Sequence, residues 1–266
     1  MHIGPILIRS YPALVDAGLV FGVLLGYLEA RRRRLEATYV LDAALAAAVG
    51  GLIVARATYV GLHWNYYTNH LGEALRLRDG GLAWQGALLG GTAGAALVCG
   101  IQRRRLAPTL DVLATGAASV AIFAWMGCFM AGCAYGVPTY PGQGLLWSLS
   151  LDLPDLYGIR EPRVALQLLG AGWSTLVLGV TLAAQRRTQR SGLVFASWLT
   201  LDSLGSFVLG FLRADNMPLL AGWRVDQVAN LALAAGGVGM MLLVKTAAGV
   251  EPSTNDLGPR AETGRQ

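Results

Sequence analysis

Charged side chains are scarce in this chain: Asp, Glu, Lys and Arg make up 14% of its 266 residues. A soluble globular domain carries about 25%. Hydrophobic residues make up 54%, and the mean hydropathy is +0.49. These values exclude a disordered chain and an ordinary soluble enzyme. Apolar runs of about 20 residues, long enough to cross a bilayer, recur along the chain, so we predict an all-α, polytopic membrane protein.

Cysteine and lysine are also rare. The three cysteines (Cys99, Cys128 and Cys133) form no CxxC pair and predict no disulfide framework. Cys128 and Cys133 lack the His or carboxylate neighbours of a metal site, so we expect no bound metal. Lys245 is the only lysine, and the other basic residues are arginines in short runs beside apolar segments. That pattern is typical of membrane topology, and we expect neither a cofactor nor a nucleic-acid partner.

Seven apolar stretches predict seven transmembrane helices, at residues 12–28, 39–63, 81–101, 109–135, 164–184, 192–212 and 225–246. The fourth is long enough to be tilted, broken or re-entrant. Arginines are dense in the short connections after spans one, three and five. The positive-inside rule therefore places the N-terminus outside and the C-terminus in the cytoplasm. The first span is no cleavable signal peptide, because its basic cluster follows the apolar core.

The sequence predicts a single folded unit. Residues 1–246 form a seven-helix membrane domain, and residues 247–266 read as a disordered cytoplasmic tail. The longest connection, residues 136–163, is too short for a separate domain. Paired glycines within the spans, such as Gly50, Gly90 and Gly237, are expected to let helices pack closely.

Polar side chains within the spans fall at one depth. Because such groups are costly in a membrane, they point to function. Measured along each helix at about 1.5 Å per residue, they lie near the outer ends of the spans: Tyr11, Asp16, Arg56, Tyr59, Gln85, Cys128, Cys133, Gln167, Arg213, Asp226 and Gln227. We therefore expect a site, or at least a wet vestibule, at the outer leaflet. Asp202 lies apart, near the middle of span six, and could pair with another buried polar group.

Arg56 lies a helical turn or more inside span two, where an unpaired guanidinium costs at least a few kcal/mol. We therefore expect it to meet Asp16 or an anionic ligand. Arg213 either snorkels to the interface or serves the same site. Asp42 and Asp111 are predicted to cap the N-termini of their own helices. The histidines of the second connection, His63 and His70, are expected to face water.

Two segments resemble a known family, the prolipoprotein diacylglyceryl transferases. Residues 79–91 (Asp-Gly-Gly-Leu-Ala-Trp-Gln-Gly-Ala-Leu-Leu-Gly-Gly) are similar to its outer loop and third span. Residues 126–136 (Met-Gly-Cys-Phe-Met-Ala-Gly-Cys-Ala-Tyr-Gly) are similar to its signature segment. Further matches follow in the family's order, at Arg9-Ser10-Tyr11, Ala55-Arg56, Tyr59-Val60, Arg160-Glu161-Pro162, Phe211-Leu212-Arg213 with Asp215, and Asp226-Gln227.

The resemblance implies an enzyme of the bacterial plasma membrane. It would transfer diacylglycerol from phosphatidylglycerol to the lipobox cysteine thiol of a prolipoprotein signal peptide, without a cofactor. The resemblance implies catalytic roles for Tyr11, Gln85, Cys128, Cys133 and Gln167. It implies substrate-binding roles for Arg56, Gly86, Gly136, Arg163, Arg213 and Gln227, among which Arg56 and Arg213 are expected to hold the lipid phosphate.

The chain differs from the family pattern at five candidate positions. Gln85 replaces the histidine of a His-Gly-Gly run, Trp125 replaces the signature arginine, and Gln167 replaces a glutamate. In span six, Ser206 and Gly210 stand where the family has an arginine and a glutamate. Because an amide does not titrate, activity should rely on another proton acceptor or on spontaneous thiolate, and should rise with pH. Replacement of Gln85 by His should be neutral or activating.

Two other functions fit the same residues. A non-catalytic family member would bind lipid or prolipoprotein at the same vestibule. A transporter would need a site at the membrane midplane and discontinuous helices, and the sequence shows neither.

Overall fold

The computed structural model describes residues 2–3, 6–7, 10–77, 80–155 and 157–247. Arg9, Asp79 and the predicted tail from residue 248 onward lie outside the described residues.

Seven long helices dominate the described chain and confirm the predicted all-α membrane fold. Each has 18 to 26 residues and is apolar enough to span a bilayer. Numbered in chain order with the shorter helices, they are α1 (Ser10–Arg32), α2 (Ala37–Leu62), α5 (Trp84–Ile101), α6 (Leu106–Ala131), α8 (Leu166–Arg187), α9 (Leu193–Gly210) and α10 (Val225–Ala247).

The connections contain short elements that the sequence did not predict. Three are single-turn helices, α3 (Trp64–Tyr67), α4 (Leu71–Ala74) and α7 (Leu145–Ser148). Three are antiparallel strand pairs: β1 (His2–Ile3) with β2 (Ile6–Leu7), β3 (Ser150–Pro154) with β4 (Arg160–Val164), and β5 (Leu219–Leu220) with β6 (Trp223–Arg224). The β3–β4 hairpin, with Leu151 opposite Arg163, gives the 136–163 connection a rigid body.

The fourth span ends earlier than predicted. Helix α6 stops at Ala131, and Gly132 follows in the left-handed region with φ of 72°. Glycine adopts this conformation without a Cβ clash and commonly terminates helices. Residues 132–135 therefore leave the helix in an irregular turn. Span four is one continuous helix of 26 residues, neither broken nor re-entrant.

Close antiparallel packing of α2 on α5 depends on glycine. A Cβ on Gly90 would lie 2.1 Å from the carbonyl oxygen of Gly50, and one on Gly94 would lie 2.3 Å from that of Ala46. Helix α1 approaches α6 in the same way, because a Cβ on Gly116 would lie 2.7 Å from the carbonyl oxygen of Gly22. The predicted packing role of the small residues is confirmed at Gly50, Gly90 and Gly94.

The two ends of the bundle differ, and we name them by their contents. The arginine end contains residues 31–34, 103–105 and 186–190, in the short connections that follow α1, α5 and α8. The loop end contains the long connections that follow α2, α6 and α9. Between the two ends, Ala95, Leu110, Ala114, Val177 and Leu199 contribute to the main hydrophobic core.

Asp111 organises the arginine end, but not as predicted. Its carboxylate is fully buried and accepts hydrogen bonds from the backbone N–H groups of Gly192 and Phe195, both at 2.8 Å. It therefore caps α9 rather than its own helix. Asp42 does not cap α2 either, because its carboxylate accepts a hydrogen bond from the Gln102 side chain at 2.9 Å. Each carboxylate therefore binds a group from another helix or connection instead of the N–H groups at the start of its own helix.

Candidate active site

The polar residues singled out in the sequence lie at the loop end and form a chain of contacts. Tyr11 packs against Gly127, where a Cβ would lie 3.0 Å from the tyrosine ring. The Gln167 amide donates to the carbonyl oxygen of Cys133 at 2.9 Å. Gly136 forms an antiparallel bridge with Arg213. These contacts join α1 to α6, α8 to the segment after α6, and that segment to the connection after α9.

Arg56 is the centre of the second connection. Its guanidinium donates all five N–H groups to backbone carbonyls of the connection that follows α2. Nε donates to Ala74, Nη1 to Gly80 and Gly81, and Nη2 to Glu73 and Arg76. The side chain is 7% exposed and lies beside the rings of Tyr59 and Tyr67. One side chain thus holds together the whole segment that leads into α5.

In this structure Arg56 is bound by backbone carbonyls rather than by the Asp16 carboxylate that the sequence offered as one partner. Desolvation of a guanidinium can be offset by enough carbonyl dipoles, and five of them occupy its five donors. The sequence could not reveal this partner, because backbone carbonyls of a loop carry no signature in residue identity.

Four charged side chains form a second cluster between α9 and α10. Arg213 donates from Nε to Asp215 at 2.8 Å, and its Nη1 lies 3.4 Å from the Asp226 carboxylate. Arg224 lies 3.2 Å from each of the same two carboxylates. Two cations and two anions balance, so the cluster is neutral as a whole.

The ion pairs of this cluster shift the pKa values of Asp215 and Arg213. Burial alone would raise the pKa of Asp215, but the hydrogen bond and charge of Arg213, with the charge of Arg224, lower it below its ordinary value. Burial would likewise lower the pKa of Arg213, and its pairing with Asp215 raises it instead. Both groups therefore remain charged at neutral pH.

The signature segment runs between this cluster and the β3–β4 hairpin. The N–H of Val137 donates to the carbonyl of Leu212, and the N–H of Ala214 donates to that of Tyr135. A Cβ on Gly136 would lie 2.3 Å from the carbonyl oxygen of Val164. Gly136 is therefore required for the close approach of three backbone segments.

Arg163 lies on the other side of the signature segment. It is 5% exposed, pairs with Asp155 at 3.3 Å and with Glu161, and lies 4.9 Å from the centroid of the Tyr135 ring. Burial raises the pKa of Tyr135, and the charges of Asp155 and Asp215 raise it further. The Tyr135 hydroxyl therefore stays protonated between the two charged clusters.

Cys128 and Cys133 are joined by a disulfide. This corrects the expectation that the cysteines form no disulfide. A spacing of five residues is unremarkable in the sequence, but the left-handed turn at Gly132 folds the chain back so that the two Cα atoms lie 4.6 Å apart. Within the disulfide neither sulfur is a thiol, so a catalytic role for either cysteine would require its reduction.

The two glutamines at family positions are both engaged. Gln85 donates from Nε2 to the side-chain oxygen of Asn230 in α10 at 3.2 Å. Gln167 is 1% exposed, and its Oε1 is buried without a hydrogen-bond partner among the described residues. A buried acceptor of this kind needs a donor that the described residues do not supply.

The remaining candidates have packing roles. Gly86 allows α5 to contact α2, because a Cβ there would lie 2.7 Å from the carbonyl oxygen of Val54. Gln227 packs against Gly210 and donates to the carbonyl of Phe207 at 3.5 Å. Asp202 is 8% exposed, and the expected polar partner is not found, since none of the described residues forms a hydrogen bond or ion pair with it. The described part of the chain also contains no group of three His, Cys, Asp or Glu side chains placed to hold a metal.

Comparison with known proteins identifies the family. A family model described as prolipoprotein diacylglyceryl transferase matches residues 1–243. The chain belongs to this family. A phosphatidylglycerol–prolipoprotein diacylglyceryl transferase of Ligilactobacillus salivarius is 33% identical over 245 residues, which cover 88% of this chain and 87% of the relative. One of Thermosynechococcus vestitus is 29% identical over 254 residues, which cover 91% of each. With its seven spans, the chain is a multi-pass protein of the bacterial plasma membrane.

Sequence reasoning missed two residues of the transferase-family site. Asp155 pairs with Arg163, and Asn230 accepts the hydrogen bond of Gln85. Asp215 was recognised only as a match in the family's order, and its pairing with Arg213 is seen only in the structure. Nothing in the sequence around Asp155 or Asn230 indicates these partners.

Proposed function

We propose that this protein transfers a diacylglyceryl group from phosphatidylglycerol to the lipobox cysteine of a prolipoprotein signal peptide. The thiolate sulfur forms a bond to the terminal glyceride carbon, the bond from that carbon to the phosphate oxygen breaks, and glycerol phosphate leaves. The observation that carries the proposal is the match to the transferase family over residues 1–243. The position of the polar candidate residues at the loop end supports it.

The loop end is proposed to face the outside of the cell. The arginine runs favour the opposite end as cytoplasmic. The Cys128–Cys133 disulfide lies at the loop end, and disulfides persist in oxidising compartments. Helix α1 begins at the same end as the disulfide, because Tyr11 packs on Gly127. Both observations support an N-terminus outside and a C-terminus inside.

Thiol labelling of intact cells tests this orientation. After mild reduction, a membrane-impermeant maleimide should label Cys128 and Cys133, whereas without reduction it should not. Buried Cys99, removed by a Cys99→Ala change, provides a background control. Labelling that requires permeabilised cells would reverse the topology and move the site to the cytoplasmic leaflet.

Arg213 is the proposed contact for the lipid phosphate. Its pairing with Asp215 orients the guanidinium, while its 3.4 Å approach to Asp226 is the longer of its two carboxylate contacts. A phosphate oxygen that replaces Asp226 would keep the guanidinium paired. The unpaired Oε1 of Gln167 is proposed to accept a hydrogen bond from the glycerol headgroup or the peptide.

The function is tested with purified protein, phosphatidylglycerol vesicles and a lipobox peptide. The expected product is the diacylglyceryl thioether, detected by mass spectrometry, together with released glycerol phosphate. Arg213→Lys should lower turnover at least tenfold, because an ammonium does not make the bidentate contact. Arg160→Lys, in an exposed pair with Asp152, is the matched control and should have no effect. Peptide and lipid binding without any thioether would identify a non-catalytic binding protein instead.

A further inference from the structure

Two histidines of the second connection have the same local geometry. In each, Nδ1 lies 3.0 Å from the carbonyl oxygen of a tyrosine four residues earlier: Tyr59 for His63 and Tyr66 for His70. Each ring stacks on that tyrosine, with centroids 4.2 Å and 4.4 Å apart. Because a carbonyl only accepts, Nδ1 carries the proton in both, and Nε2 of the neutral ring is left as a proton acceptor.

The surroundings of His63 and His70 differ. His63 is half-buried and lines an open cavity at the surface of the loop end, which is formed by the six consecutive residues 61–66. His70 is exposed and does not line this cavity. Burial and the cavity therefore distinguish two imidazoles that have the same local geometry.

Tyr59 connects the cavity to the candidate site. Its ring stacks on His63 on one side, and on another it contacts Gly81, where a Cβ would lie 2.4 Å from the ring. Gly81 belongs to the segment that Arg56 holds and that leads directly into Gln85.

Among the described residues, the charged side chains that contact the same group of tyrosines are already engaged. Arg56 is bound by five carbonyls. The Glu73 carboxylate accepts a hydrogen bond from the Tyr66 hydroxyl at 2.8 Å. The rings of Tyr59 and Tyr67 contact each other edge to face, and their hydroxyls are the other titratable groups of this tyrosine group. An imidazole is the side chain that ordinarily changes charge between pH 5 and 8.

We propose that His63 Nε2 accepts the proton of the substrate thiol in this cavity, the task for which Gln85 is chemically unsuited. A cysteine thiol has a pKa near 8.5 and reacts as the thiolate. In the step, the S–H bond breaks, the proton passes to Nε2, and the thiolate attacks the glyceride carbon as its bond to the phosphate oxygen breaks. The imidazolium then returns its proton to water. This inference rests on the proposed transferase function.

The test compares His63→Gln with His70→Gln, each assayed with phosphatidylglycerol vesicles and a lipobox peptide across pH 6 to 9. For His63→Gln we expect kcat/KM to fall by about 100-fold at pH 6.5, and the deficit to shrink as the thiol ionises unaided. His70→Gln should remain within about twofold of the unaltered protein at every pH, since general-base loss costs far more than that.

A peptide with selenocysteine in place of the reacting cysteine provides a second measurement. Its selenol is already ionised at neutral pH, so His63→Gln should act on it almost as fast as the unaltered protein does. A deficit that is independent of pH, or that persists with the selenol, would show that His63 is structural and would overturn the inference. An unaltered protein that forms no thioether would refute the proposed function itself, whatever the histidine variants do.

Discussion

The two ends of the helix bundle use their polar groups differently. At the arginine end, connections are short, and Asp111 is saturated by two backbone N–H groups with the Arg33 guanidinium 3.6 Å away. At the loop end, the polar groups hold long connections in place: Arg56 binds five backbone carbonyls, and Arg213 pairs with Asp215. The comparison teaches that buried polar groups close short connections at one end and order long connections at the other.

Removal of the Asp111 carboxylate should have the largest effect on stability. Asp111→Ala leaves two buried N–H groups and the Arg33 guanidinium without their acceptor, a change that costs about 3–5 kcal/mol. Denaturant unfolding in detergent micelles measures it. Asp42→Ala, in which an exposed carboxylate loses one hydrogen bond to Gln102, should cost about 0.5 kcal/mol or less. Equal losses for the two variants would show that burial of the Asp111 carboxylate adds nothing to the stability of the arginine end.

Arg56→Lys should have the second-largest effect, and it should act at the loop end. An ammonium has three donors in place of five and no planar fork, so at least two charge-assisted hydrogen bonds are lost, at about 1.5–3 kcal/mol each. We expect faster amide exchange in residues 73–81 and lower transferase activity, with little change in the unfolding of the bundle. Arg76→Lys is the control, because Arg76 is exposed and contributes its carbonyl to Arg56.

The same variant separates two roles of Arg56. If phosphatidylglycerol binding falls while amide protection in residues 73–81 is unchanged, the side chain binds phosphate as the sequence predicted. Loss of protection with unchanged lipid affinity would support the carbonyl-bound role that the structure shows.

Acidification should weaken the loop end through Asp215. Its pKa is lowered in the folded protein, so the folded state binds fewer protons than the unfolded state over the carboxyl titration range. Its stabilising contribution is complete above the ordinary carboxyl pKa and is lost as pH falls through the lower folded value. The unfolding temperature should therefore drop below about pH 5, and the drop should be shallower in Asp215→Asn. Asp152→Asn, in an exposed pair, should follow the unaltered protein.

Gln85→His should have the smallest effect. An imidazole N–H can replace the amide as donor to Asn230, so stability should change by about 1 kcal/mol or less, and activity should be equal or higher. Gln85→Leu is the contrasting change, because it leaves the buried Asn230 side chain without its donor. A strong loss of activity in Gln85→His would show that the amide itself contacts substrate.

The fold was largely predictable, and the site was predictable only in part. Seven apolar stretches became seven helices because each must satisfy its backbone hydrogen bonds internally in lipid. The depth of Gln167, Arg213 and Asp226 was readable because helical rise is constant. Their partners were not readable, since Arg213 pairs with a carboxylate in a loop whose path depends on the β5–β6 turn.

The sequence by itself determined the membrane class, the seven spans, the family and the end of the bundle where polar side chains gather. Only the tertiary structure decided that Arg56 binds five carbonyls, that Asp111 caps another helix and that Cys128 joins Cys133. The physical reason is the range of the interactions involved. Hydropathy and helical periodicity are local properties of consecutive residues, whereas the partner of a buried polar group depends on which loop or helix the fold brings within about 3 Å.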